Sequence, residues 1–351
     1  MTRFIGVESL ATIVHEIGIE PFLVGLAGCI EQDFRRWGEF HKVPRHASHS
    51  DLGVVELMPI SDAAQFGFKY VNGHPGNARA GLLTVAAFGV LADMDTGYPR
   101  LVAEMTLLTA LRTAATSALV ASRLARPDSR VMAMIGLGAQ SDFQALAFRA
   151  LLGIDRLQVY DIDPASTAKF MRNMTAQGFA VETFDSAQEA VMSADIITTA
   201  TADKRNATIL SGNMVGAGIH INAIGGDCPG KTELQRDILL RASVFVELEE
   251  QTRIEGELQQ MPADFPVTEV WRVLAGIAPG RTSAAQVTLF DSVGFALEDF
   301  SALRYLDALT ADDVNIAEID LIAQPDDPVD LFGLLQRYRP APHPSLVALS
   351  A

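Results

Sequence analysis

Leu10, Ile13, Val14 and Ile17 recur three and four residues apart, the spacing that lines one face of an α-helix with apolar side chains. It predicts a helical opening between about Thr2 and Trp37. Two alternating runs follow. In VVELM (54–58) Val54, Glu56 and Met58 share a face, and in FGFKYV (66–71) Phe66 and Phe68 oppose Gly67 and Lys69; a period of two marks strands. NGHPGNARAG (72–81) is a loop by its Asn, Gly and Pro content, LLTVAAFGVLAD is expected as a further buried strand, and Asp93, Asp95 and Gly97 mark a turn. From Glu104 to about Ala125 the pattern is helical again. Thr109, Arg112, Thr113 and Thr116 fall on one face of that helix, a polar stripe on an otherwise apolar cylinder that is either a solvated surface or an anion site.

Beyond RPDSR (126–130) the rhythm changes to strands alternating with helices. VMAMIG (131–136), LQVYD (157–161), DIITTAT, IHINAIG and SVFVEL are short apolar or β-branched runs. Between them SDFQALAFRALLG (141–153) is helical and stops at Gly153, Pro164 opens a helix capped by Asp163, and Ser186 with Glu189 has capping-box spacing. This alternation predicts an α/β fold whose core is a Rossmann-type, doubly wound parallel sheet.

A chain of 351 residues has room for about two domains. Its 27 Lys and Arg against 43 Asp and Glu give a formal net charge of −16, and no basic patch offsets it, which argues against a nucleic-acid partner. Cys29 and Cys228 lie far apart and His46, His49 and His74 lack metal-ligand spacing; neither a disulfide framework, a zinc finger nor another metal site is expected, and a reducing cytoplasm is the expected setting. The opening carries Glu8, His15 and Glu16, unlike a signal peptide. Gly81 to Met94 and Thr113 to Leu124 fall short of the 18 or so apolar residues a membrane span needs, so a soluble protein without a membrane partner is expected.

The most specific local signal is IGLGAQS (135–141), which follows a predicted strand and opens a predicted helix. Gly136 suits the tight turn, Gly138 lets main-chain N–H groups approach a pyrophosphate at the helix N-terminus, and Ser141 stands where the dinucleotide fingerprint has a third glycine. Asp161 ends the next strand, roughly twenty residues beyond Gly138, where a carboxylate accepts hydrogen bonds from a ribose and repels a 2′-phosphate; NAD is favoured over NADP. GGDCPGKTEL (225–234) sits after a later strand, and its Asp227 either faces a nicotinamide or makes an ordinary Asx turn. Arg45, Lys69 and Arg112 are scattered cations, surface residues by default. Lys69 differs because alternation aims it away from Phe66 and Phe68.

RHASHS (45–50), ELMP (56–59), FKYVNGHP (68–75), LRTAATS (111–117), IGLGAQS, NAIGGDCPGKTEL and FDSVGFALEDF together resemble the ornithine cyclodeaminase/mu-crystallin family over nearly the whole chain, from about residue 2 to about 335. The resemblance implies a homodimeric, NAD-dependent enzyme that turns L-ornithine into L-proline and ammonia through hydride transfer, imine formation, ring closure and re-reduction. It implies that Arg45, Lys69 and Arg112 hold the substrate α-carboxylate, that Glu56 receives the side-chain ammonium, that Val293 lines the pocket and that Asp227 is the acid/base. By the same resemblance Thr84, Arg112, Ala139, Gln140, Asp161, Thr201, Asn222, Ala223, Ile224, Gly225, Lys231 and Ser292 contact NAD together with the glycine turn. The expected division is a discontinuous α+β substrate-binding and dimerisation domain at 1–114, an NAD-binding Rossmann domain at 115–311, and a C-terminal return with a fraying tail at 312–351. A cyclic-imine reductase, an amino-acid dehydrogenase and a non-catalytic binding module are the alternatives on the same scaffold.

Overall fold

The computed structural model describes residues 1–201 and 208–338; the proline-rich end of the chain expected to fray lies outside them. Two eight-stranded sheets organise the chain. The first contains β1 (Thr2–Ile5), β2 (His41–Lys42), β3 (His46–Ser50), β4 (Gly53–Ser61), β5 (Gln65–Gly73), β6 (Val85–Asp93), β7 (Pro99–Glu104) and the late strand β16 (Ala317–Ile319). Their order is β16-β1-β7-β6-β5-β4-β2, with β3 also paired to β4. Among the described residues of this sheet only β1 and β7 pair in parallel. The second contains β8 (Val131–Ile135), β9 (Arg156–Tyr160), β10 (Ala180–Thr183), β11 (Ile196–Thr199), β12 (His220–Ala223), β13 (Ala242–Val246), β14 (Thr268–Glu269) and β15 (Val287–Asp291).

Every pairing in this second sheet is parallel, in the order β10-β9-β8-β11-β12-β15-β13-β14, so the α/β, doubly wound architecture is present. The chain leaves β8 outward in one direction through β9 and β10 and in the other through β11 and β12. The order therefore reverses between β8 and β11, which opens a crevice at the carboxyl ends of the strands. Register aligns Ile135 with Tyr160 and Thr199, Thr199 with Ala223, and Ala223 with Asp291 and through it Val246. The turns that follow these residues all gather on one edge.

The helices are α1 (Val7–Ile17), α2 (Ile19–Arg35), α3 (Thr106–Leu124), α4 (Ser141–Leu152), α5 (Pro164–Ala176), α6 (Ala187–Val191), α7 (Arg236–Arg241), α8 (Glu249–Glu255), α9 (Val270–Leu274), α10 (Ala296–Leu309) and α11 (Leu331–Arg337). Local signals act as their chemistry requires. Gly153 ends α4 in the left-handed conformation, Asp163 accepts from Ala165 N and Ser166 N, and Ser186 Oγ accepts from Glu189 N at 3.2 Å. Among the described residues no single helix is long and apolar enough to cross a membrane.

Two expectations change. The opening is not one helical stretch but a strand followed by two helices bent 102° apart. Thr2 and Ile5 bury their side chains as β1 pairs with β7, and Gly18 takes φ 88° and ψ 137°, a conformation that side chains disfavour, so the helix breaks there. LLTVAAFGVLAD is not buried throughout: Leu82 and Leu83 are exposed before β6 begins, and Val85 and Phe88 point outward. Antiparallel strands such as β5 and β6, covered on one face, leave the alternate residues open. Accordingly Gly67, Lys69 and Val71 of β5 face inward while Phe66, Phe68 and Tyr70 face outward.

Helix α10 covers the inner face of the first sheet and packs on α2 as well as β4, β5 and β6. A Cβ on Gly67 would lie 2.8 Å from Phe300 Cδ2, so the bare Cα lets the helix seat. Helix α3 touches α2, α4, α10, β12 and β15 and thereby joins the two sheets. Its middle is where the polar stripe lies.

Candidate active site

The glycine turn stands at the strand-order reversal. Gly136 has φ 94°, and a Cβ there would lie 2.7 Å from Ala200 O across the crevice; both facts demand glycine. Gly138 and Ala139 are exposed and Gln140 precedes α4, whose N-terminus opens toward the turn. Ser141 is fully buried and donates from Oγ to Gly138 O at 2.8 Å, so the residue in the third glycine position ties the turn rather than crowding it. Asp161 accepts from Leu137 N at 2.6 Å and from Asp163 N at 2.8 Å, which links the end of β9 to the turn. On the other side of the reversal, Thr201 follows β11, Asn222 and Ala223 end β12, Ile224 and Gly225 continue from it, and Ser292 follows β15. Lys231 donates from Nζ to Thr201 O at 2.7 Å. Thr84, at the entry to β6, is engaged locally, its carbonyl accepting from His74 N at 2.8 Å.

Polar atoms at the crevice and on the α3 stripe are buried without a partner. Gln140 Oε1, Asn222 Oδ1, Thr109 Oγ1 and Thr116 Oγ1 lack a hydrogen bond among the described residues. Buried polar groups are otherwise nearly always satisfied. Arg112 and Thr116 are buried, so the solvated-surface reading of the α3 stripe is overturned.

Arg45, Lys69 and Arg112 come from separate elements and the side chains of all three are buried, which overturns their default surface reading. Arg45, in the turn before β3, lies 3.1 Å from Glu56 Oε2 and 3.1 Å from Glu255 Oε2, and donates to Val293 O and Gly294 O at 2.6 Å each. Lys69, only 1% exposed, is 2.8 Å from Asp299. Arg112 is 2.6 Å from Glu298 Oε2 and 2.9 Å from Asp299 Oδ1, so Asp299 bridges two of the cations. Glu247 accepts from Ser292 Oγ at 2.6 Å and Gly294 N at 3.1 Å, and so shapes the turn whose carbonyls hold Arg45.

Burial sets the proton equilibria. It lowers the Lys69 ammonium to about 8, aided by the Arg112 charge and opposed by Asp299. It raises Glu298 to about 8 against the pull of Arg112, and Glu255 to about 7 against the pull of Arg45. Asp227 is the exception in exposure. Its side chain is 59% exposed, and its ion pair with Lys231 is long, at 4.0 Å.

Four acids escaped the residue-by-residue reading: Glu247, Glu255, Glu298 and Asp299. The available signal was FALEDF, where two adjacent acids sit among apolar residues at the start of a helix. Burying them requires cations nearby.

The model for the ornithine cyclodeaminase/mu-crystallin family matches residues 7–312. An ornithine cyclodeaminase from Agrobacterium fabrum is 63% identical over 334 residues, covering 95% of this chain and 94% of its own. Among solved structures, a lysine cyclodeaminase described for its recognition of L-lysine, L-ornithine and L-2,4-diaminobutyric acid superposes with a TM-score of 0.89 at 32% identity, over 95% of this chain and 99% of its own. An archaeal alanine dehydrogenase dimer with bound NAD superposes with a TM-score of 0.84 at 29% identity, over 92% and 99%.

The raised Glu255 carboxyl has a consequence for stability. Between its ordinary 4.5 and about 7 the folded protein holds a proton that the unfolded chain releases, so this contribution is complete below about 4.5 and fades as pH rises through about 7. The urea midpoint is expected to fall from pH 5 to pH 8, and Glu255→Gln, which cannot titrate, to flatten that decline; an undiminished slope in the variant would count against it.

Proposed function

The chain belongs to the ornithine cyclodeaminase/mu-crystallin family, and from that premise we propose that it is an NAD-dependent enzyme converting L-ornithine into L-proline and ammonia. The observation that carries this reading is the buried meeting of Arg45, Lys69 and Arg112 on a chain 63% identical to an ornithine cyclodeaminase.

A dinucleotide fits the residues present. The glycine turn and the α4 N-terminus suit a pyrophosphate, Asp161 suits a ribose without a 2′-phosphate, and Gln140 Oε1 and Asn222 Oδ1 are buried acceptors awaiting a donor. We assign Gly136, Gly138, Ala139, Gln140 and Asp161 to its adenosine and phosphate side, and Thr201, Asn222 to Gly225, Lys231 and Ser292 to its nicotinamide side, with Thr84 and Arg112 at the margin shared with substrate. NAD⁺ bound there supplies a reversible hydride acceptor, which allows Cα to be oxidised and re-reduced with no net redox change.

The protein's own residues then divide the remaining work. Arg45, Lys69 and Arg112 hold the α-carboxylate, Arg in particular offering paired N–H donors in a fixed plane. Glu56, Glu298 and Asp299 pair with those cations and hold them aimed before substrate arrives. Glu56 also receives the side-chain ammonium, and Val293 lines the pocket beside it. Asp227 accepts a proton from that ammonium, which frees the δ-nitrogen to attack the oxidised Cα and close a five-membered ring as ammonia leaves. Both reacting ends belong to one held molecule, so the closure avoids the entropy of a bimolecular encounter.

We further infer a homodimer in which the outward face of β5 and β6 is covered by a second copy. Phe66, Phe68, Tyr70 and Phe88 form a contiguous aromatic patch, with Tyr70 and Phe88 stacked at 5.2 Å and Phe88 44% exposed. Patches of this kind mark association surfaces.

Three measurements test these assignments. α-Deuterated ornithine with catalytic NAD⁺ is expected to give proline that keeps the label, without NADH accumulating; NADH and a keto acid would indicate a dehydrogenase, and absence of turnover a binding module. Asp227→Asn is expected to lower kcat by about 10²–10⁴ with cofactor affinity retained, and wild-type turnover would remove Asp227 from the chemistry. Phe88→Asp is expected to yield a monomer in sedimentation, whereas an unchanged species would place the interface elsewhere.

A further inference from the structure

Asp227 projects from a turn that is held from behind by a succession of buried acids. Asp291, at the end of β15, accepts from Glu257 N and Leu258 N, both at 2.9 Å. Glu257 accepts from Glu233 N at 2.6 Å and Leu234 N at 3.1 Å. Glu233 accepts from Thr201 N at 3.2 Å and from Thr201 Oγ1. Each carboxylate thus fixes the main chain that carries the next. All three are at most 1% exposed, an expensive placement for acids whose only service would be packing.

The glycines report the same arrangement. A Cβ on Gly225 would lie 2.2 Å from Glu233 Oε1, one on Gly226 2.9 Å from Glu257 Oε1, and one on Gly256 2.6 Å from Asp291 Oδ1. The acids occupy the volume that side chains would fill. Gly225 and Gly226 immediately precede Asp227, and neither has a positive φ; close approach, not backbone conformation, requires them. Beyond Asp227 the turn is fixed again, since Gln259 accepts from Gly230 N at 2.7 Å and donates to Lys231 O at 2.9 Å.

We propose that Glu233 and Glu257 are positioning residues that seat the 225–234 turn through its bare Cα face and its N–H groups, and so determine where Asp227 and Lys231 stand in the crevice. The proposal deepens the reading of Asp227 as proton acceptor and rests on it. Glu257→Gln is the informative change, because an amide supplies only one acceptor oxygen where two N–H groups converge and turns a donor toward the other.

Amide exchange and turnover test it separately. Exchange at Glu233 and Leu234 in the Glu257→Gln protein is expected to quicken at least about tenfold while the protection of the parallel sheet is unchanged; parental protection at these two amides overturns the proposal, whatever reaction the enzyme performs. In turnover, kcat is expected to fall at least about tenfold with the ornithine KM within about twofold, since Arg45, Lys69 and Arg112 sit on other elements. An unchanged kcat, or a loss confined to KM, overturns it. A wild-type protein that forms no proline from ornithine refutes the proposed reaction and leaves the exchange rates to decide the positioning role. Gly226→Ala strikes the same contact from the turn's side and is expected to give the same two shifts; it carries the test where Glu257→Gln does not accumulate folded.

Discussion

Lys69 lies almost wholly out of water, and it stays an ammonium because Asp299 is 2.8 Å away. An isolated buried amine would shed its proton, and deleting one partner of such a pair typically costs about 3–5 kcal/mol because the other charge is left uncompensated. This constraint spreads outward. Asp299 also faces Arg112, Arg112 faces Glu298, and Arg45 is bracketed by Glu56 and Glu255. Each buried cation is therefore paired with acids brought to it from other parts of the fold.

Such a network can be assembled only where several elements meet. Lys69 hangs from β5, a strand paired antiparallel on both sides, Arg112 from a helix touching both sheets, and Asp299 and Glu298 from the first turn of α10. That turn follows directly from the carboxyl end of β15, so the parallel sheet delivers acids to the cations of the other sheet. The glycine turn, Asp227 and Ser292 leave the same edge. The strand-order reversal thus gathers the glycine turn and the loops after β11 and β12 at one edge of the parallel sheet.

Much of this was legible in particular stretches. IGLGAQS between a strand and a helix disclosed the turn and the parallel sheet, and alternation in FGFKYV placed Lys69 on the face opposite Phe66 and Phe68. The break at Gly18 was not legible, since the apolar residues keep helical spacing up to it and only the backbone angles reveal the bend. The polar stripe on α3 was seen, yet its burial was undecided because periodicity separates two faces without saying which of them meets protein.

The amino-acid order alone determined local matters: helix caps, the glycine turn and the alternation of strand faces, all settled by neighbours within a few residues. Family motifs added the chemistry that those neighbours serve. What only the tertiary structure decided is pairing across distance, with Lys69 against Asp299, Arg45 against Glu255 and Glu233 beneath Gly225. The physical reason is that the cost of burying a charge depends on where its counter-charge comes to rest, and that position is fixed by the packing of whole sheets and helices rather than by any short run of the chain.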